Sequence, residues 1–72
     1  MSFKENELCL LATREMPYGR HKGTLLIDLP EHYIVWYFNQ GLPDTELGRL
    51  LKLLYEIKVN GLEYLVRPLK ER

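Results

Sequence analysis

The side chains able to do chemistry in this chain gather around one turn. Gly19-Arg20-His21-Lys22-Gly23 sets three basic or titratable residues between two glycines, with Arg14 a short way upstream. Glycines so placed let the backbone fold tightly and turn N–H groups outward, the geometry of an anion nest. Arg20, His21 and Lys22 add donors and positive charge at the same spot. Tyr18 precedes the turn, and Tyr33, Trp36 and Tyr37 follow it in one segment; such rings can stack on a base. This set supports non-covalent recognition of a phosphate-bearing partner, nucleic acid above all. The plainer account is a hairpin tip kept soluble by its charges, with Tyr33, Trp36, Tyr37 and Phe38 packed in the core, where a small domain needs their mass.

Enzyme chemistry has less to stand on. The chain has neither the GxxxxGK[ST] loop nor a G-x-G-x-x-G ahead of a helix. It also lacks a G-x-S-x-G nucleophile elbow. Cys9, His21 and His32 are the soft metal ligands, and no two have the spacing of a zinc site. Glu31, Asp44, Glu46 and Glu56 fit helix caps and helix surface better than an acid–base pair. Glu56 and Lys58 flank Ile57 near a helix end, where a surface role is the default. The expectation is a non-enzymatic domain with no cofactor and no metal.

Several elements must position the turn. Ser2 and Glu5 have capping-box spacing, and Leu8, Leu11 and Ala12 share a helical face, predicting a helix over 3–13. From Met16 the glycines and Pro17 break helix periodicity, and Thr24-Leu25-Leu26-Ile27 is β-prone. A small β-hairpin is predicted, with strands near 15–18 and 23–27 and a loop at 19–22; Pro17 makes it an edge or an irregular one. Asp28 as N-cap, Pro30 in the first turn and Gly41 as stop predict a short aromatic helix over 30–39, although Tyr33–Phe38 is strand-like by propensity. Leu47, Leu50, Leu51, Leu54 and Ile57 form a 3.6-residue stripe, predicting a longer amphipathic helix over 44–60. Asn60-Gly61 closes it as a left-handed cap with Leu62 packing back. Gly48 inside that helix implies that a backbone or ring packs against it. Leu62, Tyr64 and Val66 alternate with Glu63, Leu65 and Arg67, which allows a last short strand before Pro68. The whole reads as an α+β fold.

The chain's 72 residues make one small domain, 1–72. Ten basic and ten acidic residues cancel, which argues against a polybasic arm or an acidic tail. The longest apolar run, Tyr33 to Phe38, falls far short of the ~20 residues that span a bilayer. The first seven residues carry acids where a secretion signal needs bases. A single cysteine, Cys9, makes no internal disulfide and suits a reducing compartment. The expected location is therefore the cytoplasm. A domain this lean also gains from dimerising, which hides apolar faces that one copy leaves open.

Several separated motifs together resemble one known pattern. They are Met16-Pro17-Tyr18-Gly19-Arg20-His21-Lys22-Gly23, Leu29-Pro30 with Tyr33 and Trp36, Gly41-Leu42-Pro43, Glu46-Leu47-Gly48, Tyr55-Glu56-Ile57-Lys58 and Asn60-Gly61-Leu62. The resemblance is to a small bacterial family labelled "putative quorum-sensing-regulated virulence factor", and it runs from about Leu8 to Leu69. That pattern usually reads Phe-Gly-Lys-Tyr-Lys-Gly at the turn, so Tyr18, Arg20 and His21 are departures. Residues 16–38 are also similar, more weakly, to modules appended to bacterial proofreading-type exonucleases, which implies contact with nucleic acid. Two functions follow as expectations. One is a binding module whose basic tip (Arg14, Tyr18, Gly19, Arg20, His21, Lys22, Gly23) meets nucleic acid or another phosphate-bearing partner. The other is a protein–protein adaptor or homodimer built on the aromatic helix and the leucine stripe.

Overall fold

The computed structural model describes residues 4–71, and in that span it holds three α-helices and no β-strand. Helix α1 is Glu5–Thr13, α2 is Glu31–Gln40 and α3 is Glu46–Val59; 3₁₀ turns occupy Leu26–Asp28, Glu63–Leu65 and Arg67–Glu71. The fold is all-α, which corrects the α+β expectation.

The predicted hairpin is a loop held by one antiparallel bridge, Glu15 to Leu25. Met16 N–H donates to the Thr24 carbonyl at 2.8 Å, and Leu26 N–H donates to Arg14 O at 2.9 Å. Competing hydrogen bonds stop the ladder on both sides. Arg14 N–H is already spent on Leu10 O, closing α1. Towards the tip, Thr24 N–H turns inward to His21 O, and Met16 O takes Gly23 N–H instead. Pro17, the next residue, has no N–H to offer. β-branched residues alone therefore do not make a strand here, because neither end has free donors to extend it.

Helix starts also differ from expectation. The N-cap of α1 is Lys4; the predicted Ser2 cap lies outside the described residues. Helix α2 begins after Pro30 without a side-chain cap, since the Asp28 carboxylate accepts from Lys70 at 2.8 and 3.1 Å. Helix α3 is capped by Thr45, not Asp44: the Thr45 hydroxyl accepts Gly48 N–H at 3.2 Å. Its C-terminus follows the reading: Leu62 N–H reaches Ile57 O at 2.9 Å and Gly61 N–H reaches Lys58 O at 3.3 Å, with Gly61 at φ 66°. This is a Schellman closure. Gly48 is required by packing, since a Cβ there would lie 1.8 Å from the Pro43 carbonyl oxygen.

The core is aliphatic. Leu11, Leu26, Ile27, Leu29, Ile34, Leu51, Leu54, Ile57 and Val66 are almost fully buried, with Met16 and Leu50 among them. Among the described residues no aromatic side chain is among the buried hydrophobics, contrary to the expectation that rings supply the core's mass. Phe38 lies parallel to Tyr55 at 4.1 Å, joining α2 to α3 at the core's edge. The expected final strand is instead the two 3₁₀ turns, and Arg67–Glu71 packs on α1. Leu62, Leu65, Val66 and Leu69 face the core at helical rather than alternating spacing, leaving Tyr64 exposed.

Lys58 is buried, not a surface residue. Its ammonium donates to Ile27 O at 2.7 Å and to the Glu63 carboxylate at 3.0 Å. Lys58 thus fastens the end of α3 to the Leu26–Asp28 turn. Arg67 and Lys70 pair with Asp28, and Arg67 also pairs with Glu63, so the C-terminal turns are tied to the same place.

Candidate functional site

Helix α2 is amphipathic in an unusual sense: one side is aliphatic and the other carries rings. Ile34 enters the core, and Phe38 meets Tyr55. His32, Tyr33, Trp36, Tyr37 and Gln40 recur at helical spacing and share the remaining side. The loop after α1 lies across that side. Buried Met16 anchors it, and its hydrogen bonds to Gly23 and Thr24 fold residues 17–22 back. Gly19 turns at φ 84°, a conformation that glycine takes without strain.

Two contacts join loop and helix. The His21 imidazole meets the Tyr33 ring edge-on at 4.4 Å, and the Tyr18 and Tyr37 hydroxyls are hydrogen-bonded at 3.0 Å. Between them opens a groove of about 730 Å³, lined by Tyr18, Gly19, Arg20 and His21 from the loop and the five α2 residues. Tyr33 and Trp36 lie within 26° of parallel at 6.1 Å, and Tyr37 stands at about 80° to both. Trp36 is 55% exposed and Tyr18 48%, which is high for rings of this size.

The lining carries cationic and imidazole groups but no carboxylate. Arg20 and Lys22 have no ion-pair partner among the described residues. His32 lies in the first turn of α2, at the positive end of its dipole. The Tyr37 hydroxyl is pushed up to about 12, first by its hydrogen bond with Tyr18, then by burial and by the neighbouring Tyr18 and Tyr33. It stays protonated across the physiological range and can donate or accept. The turn is only in part the expected anion nest. Lys22, Gly23 and Thr24 spend their N–H groups on Gly19 O, Met16 O and His21 O, while those of Gly19, Arg20 and His21 have no backbone acceptor among the described residues. No cluster of three His, Cys, Asp or Glu able to hold a metal occurs among the described residues. The arrangement suits stacking, hydrogen bonding and anion pairing.

The structure brings Tyr18, Gly19, Arg20, His21, Tyr33, Trp36 and Tyr37 to one groove. It leaves out Arg14, whose guanidinium pairs with Glu46 at the start of α3. Lys22 and Gly23 belong to the same turn but do not line the groove. Sequence reasoning missed His32 and Gln40 as members. Their signal was present: each lies four residues from Trp36, so once the segment is a helix they must flank it.

Residues 4–69 match the model of a protein family described as "Putative quorum-sensing-regulated virulence factor", and the chain belongs to that family. It is 41% identical over 68 residues to "Uncharacterized protein YpeB" of Escherichia coli strain K12, an alignment covering 93% of this chain and 94% of that relative. The protein of the same description from Escherichia coli O157:H7 is similar to the same extent. No solved structure matches the chain significantly. Among the described residues no helix is long and apolar enough to cross a membrane.

Proposed function

We propose that this chain is a non-enzymatic binding module that seats an unpaired base of single-stranded nucleic acid in the groove between the 17–22 loop and α2. The observation that carries the reading is Trp36, more than half exposed, beside three tyrosines in a groove that has Arg20 at its rim and no carboxylate in its lining. Exposed rings next to unpaired cations are how proteins hold single strands: every base offers a π-face, and the backbone offers charge. A duplex hides its base faces in the stack, so single strands should bind in preference. The partner is taken to be cytoplasmic, which suits the chain's lone Cys9.

The test is fluorescence anisotropy with labelled single- and double-stranded oligonucleotides, with Trp36, the chain's only tryptophan, as a second signal. Two phosphate contacts, from Arg20 and Lys22, give a log–log salt slope of roughly −1.4 on single strands. Replacing both by Glu should remove most of the binding, while Lys52→Glu, on the exposed side of α3, should not. No binding at low salt would overturn the reading.

The second reading, an adaptor or homodimer, is narrower than the sequence implied. Leu50, Leu51, Leu54 and Ile57 are consumed by the chain's own core. A protein partner would therefore use the ring face of α2, and the favouring observation is the same exposed Trp36. Sedimentation over micromolar to hundred-micromolar concentrations tests self-association through that face.

A further inference from the structure

We infer that the groove has a footprint of one nucleotide, with its phosphate held at the Arg20–His21–His32 end and its base laid on Tyr33 and Trp36 towards Gln40. The inference rests on the nucleic-acid reading and gives it a size and a direction. Three features set the size. Tyr33 and Trp36 form the one near-parallel pair in the groove, at 6.1 Å, so they offer a single platform. Tyr37 stands upright against both rings, at 82° and 79°. Its hydroxyl is tied to that of Tyr18, which extends this wall into the loop beside the Tyr33–Trp36 pair. From His32 to Gln40 the helix advances about 12 Å, at roughly 1.5 Å per residue, room for one base, sugar and phosphate laid along it.

Charge sets the direction. His32 lies in the first turn of α2 and Gln40 at its last residue. The His21 ring meets Tyr33, one residue on from His32, and Arg20 precedes His21 in the loop, so the basic groups belong with the start of the helix and the amide with its end. A carboxamide reads the donor–acceptor edge of a base, whereas guanidinium and imidazole hold phosphate. Lys22 sits in the same turn beyond the lining and has no ion-pair partner among the described residues, so it is placed for the next phosphate of a strand leaving the groove. That second cation favours a strand over a free nucleotide as the natural ligand.

The experiment titrates Trp36 fluorescence at low salt with adenosine, adenosine 5′-monophosphate, a 5′-phosphorylated diadenylate carrying two phosphates and a 5′-phosphorylated ten-residue adenine oligonucleotide. The monophosphate should bind about tenfold tighter than the nucleoside, the worth of one charge-assisted phosphate contact. Arg20→Gln should erase that difference and leave adenosine unaffected. The dinucleotide should gain a few-fold more, a gain lost in Lys22→Gln. The ten-residue strand should exceed the dinucleotide only by the statistical factor for its number of equivalent positions. Circular dichroism of both variants confirms the fold, since both residues are exposed. A long strand that binds far beyond that statistical factor while the monophosphate is silent overturns the one-nucleotide footprint and leaves single-strand binding standing. A monophosphate no tighter than adenosine overturns the direction. Silence from all four ligands removes both the inference and the reading beneath it.

Discussion

Lys58 combines burial and charge, and its neighbours decide whether that combination is tolerable. Its ammonium has two oxygen partners, Ile27 O and Glu63, and removing it strands the first and leaves the second with Arg67 alone. Lys58→Ala should cost about 2–3 kcal/mol, less than a fully buried pair because Glu63 keeps 31% of its side chain exposed. Lys58→Met keeps the packed stem and should cost less. Denaturation midpoints separate the two. The same pair gives the fold an acid limit. Glu63 is held below the ordinary glutamate range, first by its hydrogen bond from Lys58, with the charges of Lys58 and Arg67 adding to it against an opposing effect of burial. A carboxylate that binds its proton less readily when folded stabilises the fold above its unfolded value of about 4.3 and loses that contribution as pH falls through the folded value. Glu63→Gln should therefore flatten stability against pH below about 4.3, measured by denaturation at stepped pH. An unchanged acid limb would assign it to other carboxylates.

At the scale of the element, α3 shows where helix propensity yields to packing. Gly48→Ala favours an isolated helix by roughly 1 kcal/mol. In this fold the added methyl would meet the Pro43 carbonyl oxygen at 1.8 Å, and backbone cannot swing aside as a side chain can. The variant should lose at least about 2 kcal/mol despite its better propensity, seen as a lowered thermal midpoint; a raised one would mean the 42–45 segment moves freely. That glycine and its close neighbour were legible in the sequence, as were all three helices and the Asn60-Gly61 closure. Each depends on local spacing or on one residue's conformational range. That the predicted strands do not form was not legible in the same way. Residues 23–27 have strand composition, but whether they pair depends on where Arg14 and Thr24 spend their N–H groups, which is decided by α1 and by the turn. The alternation over 62–67 misled for a related reason: with core on one side only, spacing of three and four buries Leu62, Leu65, Val66 and Leu69 better than spacing of two. The ring face of α2 was half legible. Its residues were singled out, yet their placement in the core followed from a size argument that the leucines of α1 and α3 satisfy without them.

Over the whole molecule, the C-terminal turns complete the core rather than trail from it. Val66 is fully buried, Leu69 packs beside it, and Arg67–Glu71 lies on α1. A chain ending at Leu65 should lose about 3 kcal/mol or more, from one fully buried valine and one partly buried leucine. That is a large share of the 5–15 kcal/mol typical of a domain. Lys70→Ala removes only the clasp to Asp28 and should cost at most about 1 kcal/mol. Comparing the two by chemical denaturation tells packing from charge; equal losses would give the charges the larger role. Zero net charge does not spread the charges evenly: Arg20 and Lys22 share one loop, and neither has an ion-pair partner among the described residues, whereas Arg14, Lys58, Arg67 and Lys70 are all paired.

The sheltered amine of Lys58 also makes the protein a timer of its own opening. Acylating reagents need a neutral, accessible amine, and this one is buried and donates to Ile27 O and to the Glu63 carboxylate. Under mild labelling Lys22 and Lys52, both exposed, should react first, and Lys58 only when α3 parts from the Leu26–Asp28 turn. The lag of that single site, followed by mass spectrometry of the digested chain, would read the frequency with which the fold opens in water without denaturant. Labelling of Lys58 at the pace of Lys52 would mean the clasp is broken most of the time.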